Sequence, residues 1–433
     1  MSHLADRSQA TPSQPLLRTI RPEEFRIRCF RAVDPATLAA ARSILDDIDA
    51  RGEAAVLDHA QRLGDLREGD RHTYTPADLA AARDALPAEQ RALLERIASR
   101  ISAFAAAQRA CMTELTVPIA GGAAGHSCIP VRSAGCYAPG GRFPLPSSVL
   151  MTAVTARAAG VQRVVVASPR PTQVTLAAAS IAGADALIAI GGVQAIGALA
   201  RGLLAAPAGG CDVIVGPGNR WVTAAKHLVS GEVGIDMLAG PSELLVLADA
   251  TADPALIAAD LLAQAEHDDD AIPTLVTTDP TLPGRVDAAL RSQLESLPTA
   301  PTARAALANG FALVASDLDE AIAIVDRAAP EHLEILTERA DHVASRITNA
   351  GAVFIGPRSA EVLGDYGSGP NHVLPTGGTA RFRAGLSVFT FLRARTWLRI
   401  DAADEARTLA RDAAALARLE RLEGHARSAE ARL

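Results

Sequence analysis

From Val161 onward, short apolar runs alternate with amphipathic segments along the chain. Runs rich in valine and isoleucine occupy residues 163–168, 186–192 and 211–216, and a helical pattern follows each of the last two. Uninterrupted β-branched runs are typical of strands that are buried on both faces of a sheet. The alternation of strands with helices therefore predicts a parallel, doubly wound sheet.

A second series of the same kind opens at residues 244–248. Asp253 and Pro254 predict the start of a helix that runs to about Glu266, because Asp is a favoured N-cap and Pro a favoured first helical residue. Further strands are predicted at residues 273–278, 310–314 and 352–356. The chain is therefore predicted to contain two α/β units.

Both ends of the chain show helical patterns instead. Residues 34–108 contain several helix starts that are marked by capping residues or by an early proline. The residues after Phe391 are rich in Arg, Ala and Glu in an amphipathic arrangement. We expect this C-terminal tail to be helical and to pack on a partner subunit.

Composition narrows the choice of partners and compartment. The 433 residues carry a formal net charge of −7, which favours neither nucleic acid nor an anionic membrane surface as a partner. Five cysteines without a Cys-x-x-Cys pair indicate neither a disulfide framework nor a thiolate zinc cluster. Residues 1–15 lack the apolar core of a signal peptide, and no apolar run is long enough to span a bilayer. We therefore expect a cytoplasmic location.

Two glycine-rich turns are candidate binding loops, since Gly-x-Gly-x-x-Gly is absent after a strand. They are Gly-Pro-Gly-Asn at residues 216–219 and Tyr-Ala-Pro-Gly-Gly-Arg at residues 137–142. Glycine lets the backbone approach a ligand, and a helix N-terminus attracts anions, but ordinary turns explain both segments equally well. Lys226, the only lysine, follows the first turn. We hypothesise that its ammonium group has a specific role near cofactor or substrate, with chance survival as the alternative.

Two short motifs carry candidate chemistry. Gln264 and His267 are three residues apart on the predicted helix, so they share a face that could hold a metal, although such pairs are common and glutamine is a rare zinc ligand. Glu331 and His332 follow Pro330, which predicts that they lie in the first turn of a helix. The helix dipole there would keep the imidazole neutral, as a general base requires. An ordinary surface helix start is the alternative.

The densest polar segment spans residues 364–378 and includes Asp365 and His372 among turn glycines. Polar loops of this length are often functional. Glu420 and His425, in the tail, would by themselves be read as solvated side chains.

Cys136 and Cys211 lie beside the glycine turns. A thiol at either position could attack an aldehyde as a nucleophile. Buried structural cysteines are much commoner, and they are the alternative here.

Taken together, these segments resemble the histidinol dehydrogenase family over nearly the whole chain. The resemblance rests on Tyr137-Ala-Pro-Gly-Gly, Gly191-Gly-Val-Gln-Ala-Ile, Val215-Gly-Pro-Gly-Asn, Gly234-Ile-Asp-Met-Leu-Ala-Gly-Pro-Ser-Glu, Gln264-Ala-Glu-His, Pro330-Glu-His-Leu, and the loop from Gly364-Asp to Asn371-His-Val-Leu-Pro. Each motif is a moderate signal alone, but their order and spacing are specific. The family oxidises L-histidinol to L-histidine in two NAD-dependent steps through a bound aldehyde, the last step of histidine biosynthesis, and it uses zinc.

The resemblance implies a role for each matching residue. The implied zinc ligands are Gln264, His267, Asp365 and His425. His332 would remove the alcohol proton and act again in the second oxidation, while Glu331 would activate the water that hydrates the aldehyde. The implied substrate contacts are Ser242, Gln264, His267, His332, Asp365, His372, Glu420 and His425, and the implied NAD contacts are Tyr137, Gln194 and Asn219.

The resemblance also implies the domain plan. It gives an α/β fold of two incomplete Rossmann-like, doubly wound domains with a helical N-terminal region and a helical C-terminal tail. The expected parts are an extension at 1–29 whose start is disordered, a larger domain of 30–136 plus 243–385 with the zinc site and catalytic pair, an NAD-binding domain at 137–242, and a tail at 386–433. The family is a homodimer, so the tail would place Glu420 and His425 in the partner's site.

Departures from the family pattern keep other functions open. They occur at Leu238 after Met237, at Ala105 after Phe104, and in residues 122–127. One alternative is a paralogous zinc- and NAD-dependent dehydrogenase of another polar alcohol, and another is a non-catalytic, metal-stabilised dimer. Because none of the departures falls on an implied ligand or base, the histidinol enzyme is the favoured interpretation.

Overall fold

The computed structural model describes residues 14–25, 33–140 and 144–432. The expectation of a disordered start at residues 1–13 lies outside these ranges, as do Gly141 and Arg142 of the second glycine turn. Among the described residues, no helix has the length and apolar character needed to cross a membrane.

The strands are β1 (Arg18–Ile20), β2 (Thr73–Tyr74), β3 (Leu115–Ile119), β4 (Gly122–Pro130), β5 (Ser133–Tyr137), β6 (Arg163–Ala167), β7 (Ala186–Ile188), β8 (Val213–Val215), β9 (Gly234–Ile235), β10 (Glu243–Ala248), β11 (Ile272–Thr277), β12 (Phe311–Val314), β13 (His332–Leu336), β14 (Ala352–Ile355) and β15 (Leu392–Ile400). The α-helices are α1 (Pro35–Arg51), α2 (Glu53–Arg62), α3 (Pro76–Asp84), α4 (Ala88–Ala110), α5 (Pro146–Ala159), α6 (Gln173–Ile181), α7 (Gly192–Arg201), α8 (Arg220–Val229), α9 (Pro254–Ala265), α10 (Leu282–Leu294), α11 (Ala300–Leu307), α12 (Leu318–Ala328), α13 (Ala340–Ala344), α14 (Glu361–Asp365), α15 (Ala403–Leu419) and α16 (Glu423–Glu430). Short 3-10 helices span Pro22–Glu24, Thr379–Arg381 and Val388–Phe391.

The first sheet is entirely parallel, with strand order β1–β12–β11–β10–β13–β14. Successive side chains of β10 point to opposite faces, as the strand period requires. Leu244 and Val246 belong to the apolar cluster that includes α9 and α10, whereas Leu245 and Leu247 belong to the cluster that includes α12. Helices on both faces explain why this strand is an uninterrupted apolar run.

The second sheet has the order β2–β7–β6–β5–β8–β9, and only the short edge strand β2 is antiparallel. Val164 and Val166 of β6 face the cluster that contains α5 and α6, and Val165 faces the cluster that contains α1, α7 and α8. Both predicted α/β units are therefore present, and the α/β fold class is confirmed.

The sheets divide the chain differently from the predicted domain ranges. β2 and β5 belong to the second sheet, and α1 packs on α7 and α8. Most contacts of residues 33–136 with the two large sheets and their helices are therefore made with the second unit, and not with the first as the predicted ranges had it. β1, within the predicted extension, pairs with β12 at the edge of the first sheet. The sequence did not predict β5 because Ser-Ala-Gly-Cys-Tyr, at 133–137, lacks the β-branched residues that mark a strand.

The tail begins as a strand, so the prediction that it is helical from Phe391 is wrong for its first part. β15 pairs antiparallel with β4, and β4 pairs with β3, in a third, three-stranded sheet. From Ala403 the tail is helical, and α15 and α16 pack on each other through small alanine contacts. Exposed leucines on this pair are Leu409, Leu416, Leu419 and Leu422.

Phe391 fastens the start of the tail to the second unit. Its ring is fully buried among side chains that include those of α4 and α5, and its carbonyl accepts a hydrogen bond from the Val131 N–H at 2.8 Å. Phe391→Ala should therefore lower the free energy of unfolding by about 3–5 kcal/mol in chemical denaturation. Phe389→Ala is the matched control, since that ring is 45% exposed and its loss should cost less than about 1 kcal/mol. Equal losses for the two variants would show that Phe391 is not the anchor.

Candidate active site

The candidate site lies at the start of strands β10 and β13 of the first sheet, which begin with Glu243 and His332. Residues 236–243 connect this place to the second sheet. The loop after α14 joins them again, because the Gly240 N–H donates to Thr376 Oγ1 at 2.6 Å and Asn371 Nδ2 donates to the Met151 carbonyl of α5 at 2.8 Å.

Glu331 and His332 do not start a helix, so that prediction is wrong. Helix α12 ends before Ala329, which adopts a left-handed φ of 46°, and His332 is the first residue of β13. The run His-Leu-Glu-Ile-Leu forms a strand because β10 and β14 lie on either side of it and pair with it in parallel. A proline-led start with two polar residues was a poor guide, since tertiary pairing overrides such local signals.

The imidazole of His332 is held in one orientation by the neighbouring strand. Its Nδ1 lies 3.0 Å from the Glu243 carbonyl oxygen, which can only accept, so Nδ1 carries the proton and donates it. Nε2 is buried and has no hydrogen-bond partner among the described residues. Burial lowers the pKa of His332, against the opposing effect of Asp365. The expected neutral histidine is thus present, but burial produces it and not a helix dipole.

Glu331 is clamped beside it. Its Oε2 accepts hydrogen bonds from Ser242 Oγ at 2.7 Å and from the Glu243 N–H at 2.8 Å. Burial nevertheless raises the pKa of Glu331 to about 7, because these bonds only partly offset the loss of hydration. A carboxyl group in this state can exchange a proton near neutral pH.

A cluster of donors suited to a metal lies next to this pair. His267 Nε2 is 3.3 Å from Asp365 Oδ2, and His332 Nε2 is 3.9 Å from Asp365 Oδ1. His267, Glu361 and Asp365 each present an atom within 4.8 Å of the others. Gln264 is fully buried, and neither atom of its amide has a partner among the described residues. Nitrogen and oxygen donors with unmet bonding capacity fit a zinc ion.

The predicted geometry of the Gln264–His267 pair is partly wrong. α9 ends at Ala265, so His267 lies beyond the helix, and a turn from its N–H to the Gln264 carbonyl (3.3 Å) orients it. Burial lowers the pKa of His267, but the contact with Asp365 outweighs it and the net shift is upward. Burial also raises the pKa of Asp365. The hydrogen bond with His267 and the charges of His372 and His332 outweigh burial, so the net shift of this pKa is downward.

His372 supports the same loop. Its Nδ1 contacts the Asp365 carbonyl oxygen at 3.0 Å, and its Nε2 is 3.5 Å from Ser148 Oγ at the start of α5. Burial lowers its pKa, so this imidazole is neutral as well. A cleft of about 680 Å³ opens onto His332, Asp365 and His372, which gives a small polar molecule room to reach them.

Glu420 and His425 lie elsewhere in this chain. Both are exposed, His425 on α16 and Glu420 at the end of α15. Within the described ranges, neither joins the cluster around His267.

The implied NAD contacts lie in the second unit, at or just after the ends of β5, β7 and β8. Tyr137 closes β5 and its hydroxyl accepts from the Gly192 N–H at 3.3 Å. Gln194 Nε2 donates to Asp65 Oδ2 at 2.8 Å. The side-chain oxygen Oε1 of Gln194 is buried and has no hydrogen-bond partner in the described chain. Asn219 caps α8 through the N–H groups of its first turn. The N-termini of α7 and α8 suit a phosphate group, and the free Gln194 acceptor suits a sugar hydroxyl group.

Sequence reasoning missed Glu361, Asp65 and Asp236. Glu361 precedes Asp365 by four residues, a spacing that places two side chains on one helical face and could have pointed to it. Asp65 lies 129 residues from its partner Gln194, and Asp236 lies ten residues from Lys226 but beyond the end of α8. No local pattern marks either pairing.

Comparisons with known proteins show which family the chain resembles over nearly its whole length. A family model described as histidinol dehydrogenase matches residues 31–433. A protein named histidinol dehydrogenase from Bordetella parapertussis is 45% identical over 401 residues, which cover 91% of this chain and 90% of that protein. One from Thermus thermophilus is 45% identical over 417 residues, with coverage of 95% and 98%. The crystal structure of histidinol dehydrogenase from Elizabethkingia anophelis superposes with a TM-score of 0.89 at 30% identity, and the match covers 96% of this chain and 98% of that one.

The thiols beside the glycine turns are poorly placed for nucleophilic chemistry. Burial raises the pKa of both Cys136 and Cys211 to about 12, so at pH 8 about one thiol in ten thousand would be ionised. Iodoacetamide should therefore label the exposed Cys111 in the folded protein and spare Cys136 and Cys211, as peptide mass spectrometry would show. Labelling of Cys136 as fast as that of Cys111 would contradict this and restore the nucleophile hypothesis.

Proposed function

The chain belongs to the histidinol dehydrogenase family, and on that premise we propose that it oxidises L-histidinol to L-histidine through bound L-histidinaldehyde, with two NAD, in the final step of histidine biosynthesis. The observation that carries the proposal is His332: a buried, neutral imidazole whose Nδ1–H donates to the Glu243 carbonyl and whose Nε2, beside Asp365, has no hydrogen-bond partner in the described part of the chain. As a biosynthetic enzyme it would act in the cytoplasm.

In the first step, His332 Nε2 takes the hydroxyl proton of the alcohol as the carbinol C–H bond breaks. The pair of electrons left on oxygen forms the C=O bond of the aldehyde. NAD, when bound, accepts the hydride and becomes NADH. The hydrogen bond from Nδ1–H to the Glu243 carbonyl stabilises the imidazolium that results.

In the second step, Glu331 acts on water. With its pKa raised to about 7, its carboxylate can take a proton from a water molecule as that water adds to the aldehyde carbon. His332, protonated in the first step, returns its proton to the carbonyl oxygen, so the hydrate carries two hydroxyl groups and His332 is neutral again. His332 then removes the proton from one hydroxyl group as a second hydride leaves to NAD. The product is the carboxylic acid of histidine, which loses its remaining proton to solvent.

We propose that Gln264, His267 and Asp365, with His425 of the partner subunit, hold one zinc ion. Zinc would supply a site for the substrate's imidazole and amine, so that the alcohol is oriented toward His332. Ser242, His372 and Glu420 would complete the contacts to substrate. The support within the chain is the His267–Asp365 pair and the Gln264 amide, which has no hydrogen-bond partner in residues 14–25, 33–140 and 144–432.

A homodimer would explain the position of His425 and Glu420. In one chain both are exposed on a helical pair that also exposes Leu416 and Leu419. If this tail lies on a second copy, its apolar face is covered and its polar residues reach that copy's cleft.

For NAD we propose Tyr137, Gln194 and Asn219, of which Asn219 follows a turn that Lys226 stabilises. The ammonium group donates to the Gly216 carbonyl at 3.0 Å and to Asp236, and Asp236 accepts the Gly216 N–H at 2.7 Å. Both backbone groups of Gly216 are thus fixed. Gly216 has a φ of 116°, and a Cβ there would lie 2.0 Å from the Tyr137 carbonyl oxygen, so the turn needs glycine and a rigid support.

The test of the function is an assay with purified protein, L-histidinol and NAD. We expect histidine and two NADH per histidinol, with activity lost after treatment with a zinc chelator. NADH formation from another polar alcohol and none from histidinol would indicate a paralogous dehydrogenase. Absence of turnover in zinc-loaded protein would favour a non-catalytic dimer.

His332→Ala should lower kcat by about 10²–10⁴-fold, because the base for both oxidations is lost. Zinc content, measured by atomic emission, should stay at the wild-type value, since the metal donors remain. His342→Ala, at an exposed position on α13, is the control and should be fully active. Normal turnover in His332→Ala would refute the assignment of the base.

Lys226→Met should raise the KM for NAD on the order of tenfold, with a smaller effect on the KM for histidinol, because the Gly216 turn loses its clamp. Lys226→Arg should behave similarly, since a planar guanidinium does not fit a site that is 3% exposed and built for an ammonium. The neighbouring exposed His227→Ala serves as control. An unchanged KM for NAD in folded Lys226→Met protein would mean that Lys226 has no specific role in NAD binding.

A further inference from the structure

The strand order of the second sheet indicates where the sugar of a bound dinucleotide would lie. Strands β7–β6–β5–β8–β9 are parallel and follow the order 3-2-1-4-5 of a dinucleotide-binding fold, with β5 as the first strand and β6 as the second. In such folds the segment after the second strand faces the adenosine ribose. An Asp or Glu there hydrogen-bonds the 2′-hydroxyl group of NAD, whereas an Arg accommodates the 2′-phosphate group of NADP.

In this chain an arginine occupies that segment and no acid does. The residues after β6 are Ser168-Pro169-Arg170-Pro171. Arg170 is exposed, and within the described ranges its side chain has neither a hydrogen bond nor an ion pair. A guanidinium group with unused donors at the ribose position is able to bind a phosphate group.

The backbone around Arg170 is strained and tightly held. Its φ is 46°, in the left-handed region that residues other than glycine rarely adopt, and a proline stands on each side of it. Pro169 packs between two glycine turns, because a Cβ at Gly191 would lie 2.8 Å from its ring and a Cβ at Gly140 would lie 2.3 Å from its carbonyl oxygen. Strain at an exposed side chain on such a rigid support points to a function for that side chain.

The groups near Arg170 belong to the implied NAD site. Asp65 Oδ2 accepts hydrogen bonds from the Gly191 N–H at 2.9 Å and from Gln194 Nε2 at 2.8 Å. Burial raises the pKa of Asp65, and the nearby charge of Arg170 is among the effects that oppose this rise. Arg170 and Gln194, an implied cofactor contact, therefore both lie near the same carboxylate.

We propose that Arg170 binds the 2′-phosphate group of NADP, so that the enzyme accepts NADP as well as NAD. This inference rests on the dinucleotide-dependent oxidation of the proposed function. The nicotinamide ring is the same in both cofactors, so the substrate carbon is oxidised as before: its hydride reduces NADP to NADPH, and His332 takes the hydroxyl proton. Asp65 keeps NAD in use, because a carboxylate near the ribose accepts a hydrogen bond from a hydroxyl group and repels a phosphate group.

Binding of 2′,5′-ADP and of 5′-AMP to the full-length protein tests this contact without catalysis, since the two nucleotides differ only in the 2′-phosphate group. By isothermal titration calorimetry, wild type should bind 2′,5′-ADP about tenfold or more tightly than 5′-AMP, and added salt should reduce the difference. Arg170→Ala should bind both nucleotides alike, and Arg170→Lys should keep part of the preference because it keeps the charge. Arg42→Ala, at an exposed position on α1, is the matched control and should bind as wild type does.

Kinetics with L-histidinol give a second readout. With NADP that has been freed of NAD, wild type should form NADPH. Arg170→Ala should raise the KM for NADP about tenfold or more, while its KM for NAD and its kcat should change less than about twofold. Asp65→Asn, whose side-chain oxygen can still accept from Gly191 and Gln194, should raise kcat/KM for NADP relative to NAD.

The two proposals fail in different ways. Equal affinity of wild type for the two nucleotides, or an unchanged KM for NADP in Arg170→Ala, would overturn the role of Arg170, and turnover with NAD would show that the proposed function still holds. Absence of turnover with NAD in wild type would refute the proposed function, and the nucleotide titration would still decide whether Arg170 binds a 2′-phosphate group.

Discussion

The parallel pairing of β10 with β13 is the constraint on which the candidate site depends. Its register sets Leu244 opposite His332, and this places the Glu243 carbonyl beside His332 Nδ1 and the Glu243 N–H beside Glu331. One residue of the neighbouring strand thus fixes both members of the proposed catalytic pair. A slip of one residue would turn both side chains to the opposite faces of the sheet, so the apolar faces that set the register also set the chemistry.

Burial sets the protonation states of the two side chains. It lowers the pKa of His332 and raises the pKa of Glu331 to about 7, so a base and an acid–base carboxyl coexist side by side. Among the described residues, the same burial leaves the Gln264 amide and the Glu361 carboxylate without hydrogen-bond partners. Buried polar groups without partners cost free energy, and a metal ion with N and O ligands is one kind of ligand that would satisfy such groups.

The α/β class and seven of the twelve described strands in the two large sheets could be predicted from the sequence, because strands covered by helices on both faces are uninterrupted apolar runs. Others could not: Ser-Ala-Gly-Cys-Tyr of β5 lacks β-branched residues, and the arginine-rich β15 is largely exposed. Local motifs marked Gln264, His267, Glu331, His332, Asp365 and His372 as candidates, whereas their roles and the other site residues came from the resemblance. His332 was expected on a helix and lies on a strand, while Glu361 and Asp236 make contacts that only the tertiary fold creates.

In the proposed mechanism His332 is neutral at working pH, with its proton on Nδ1 and with Nε2 free to act as the base. ¹⁵N NMR of the imidazole nitrogens in labelled protein at pH 7 tests this most directly, with the His332 signals assigned by their absence in His332→Gln. We predict a protonated Nδ1 and an unprotonated Nε2 in the folded enzyme. A signal from protonated Nε2, in either the other tautomer or the imidazolium, would contradict the account.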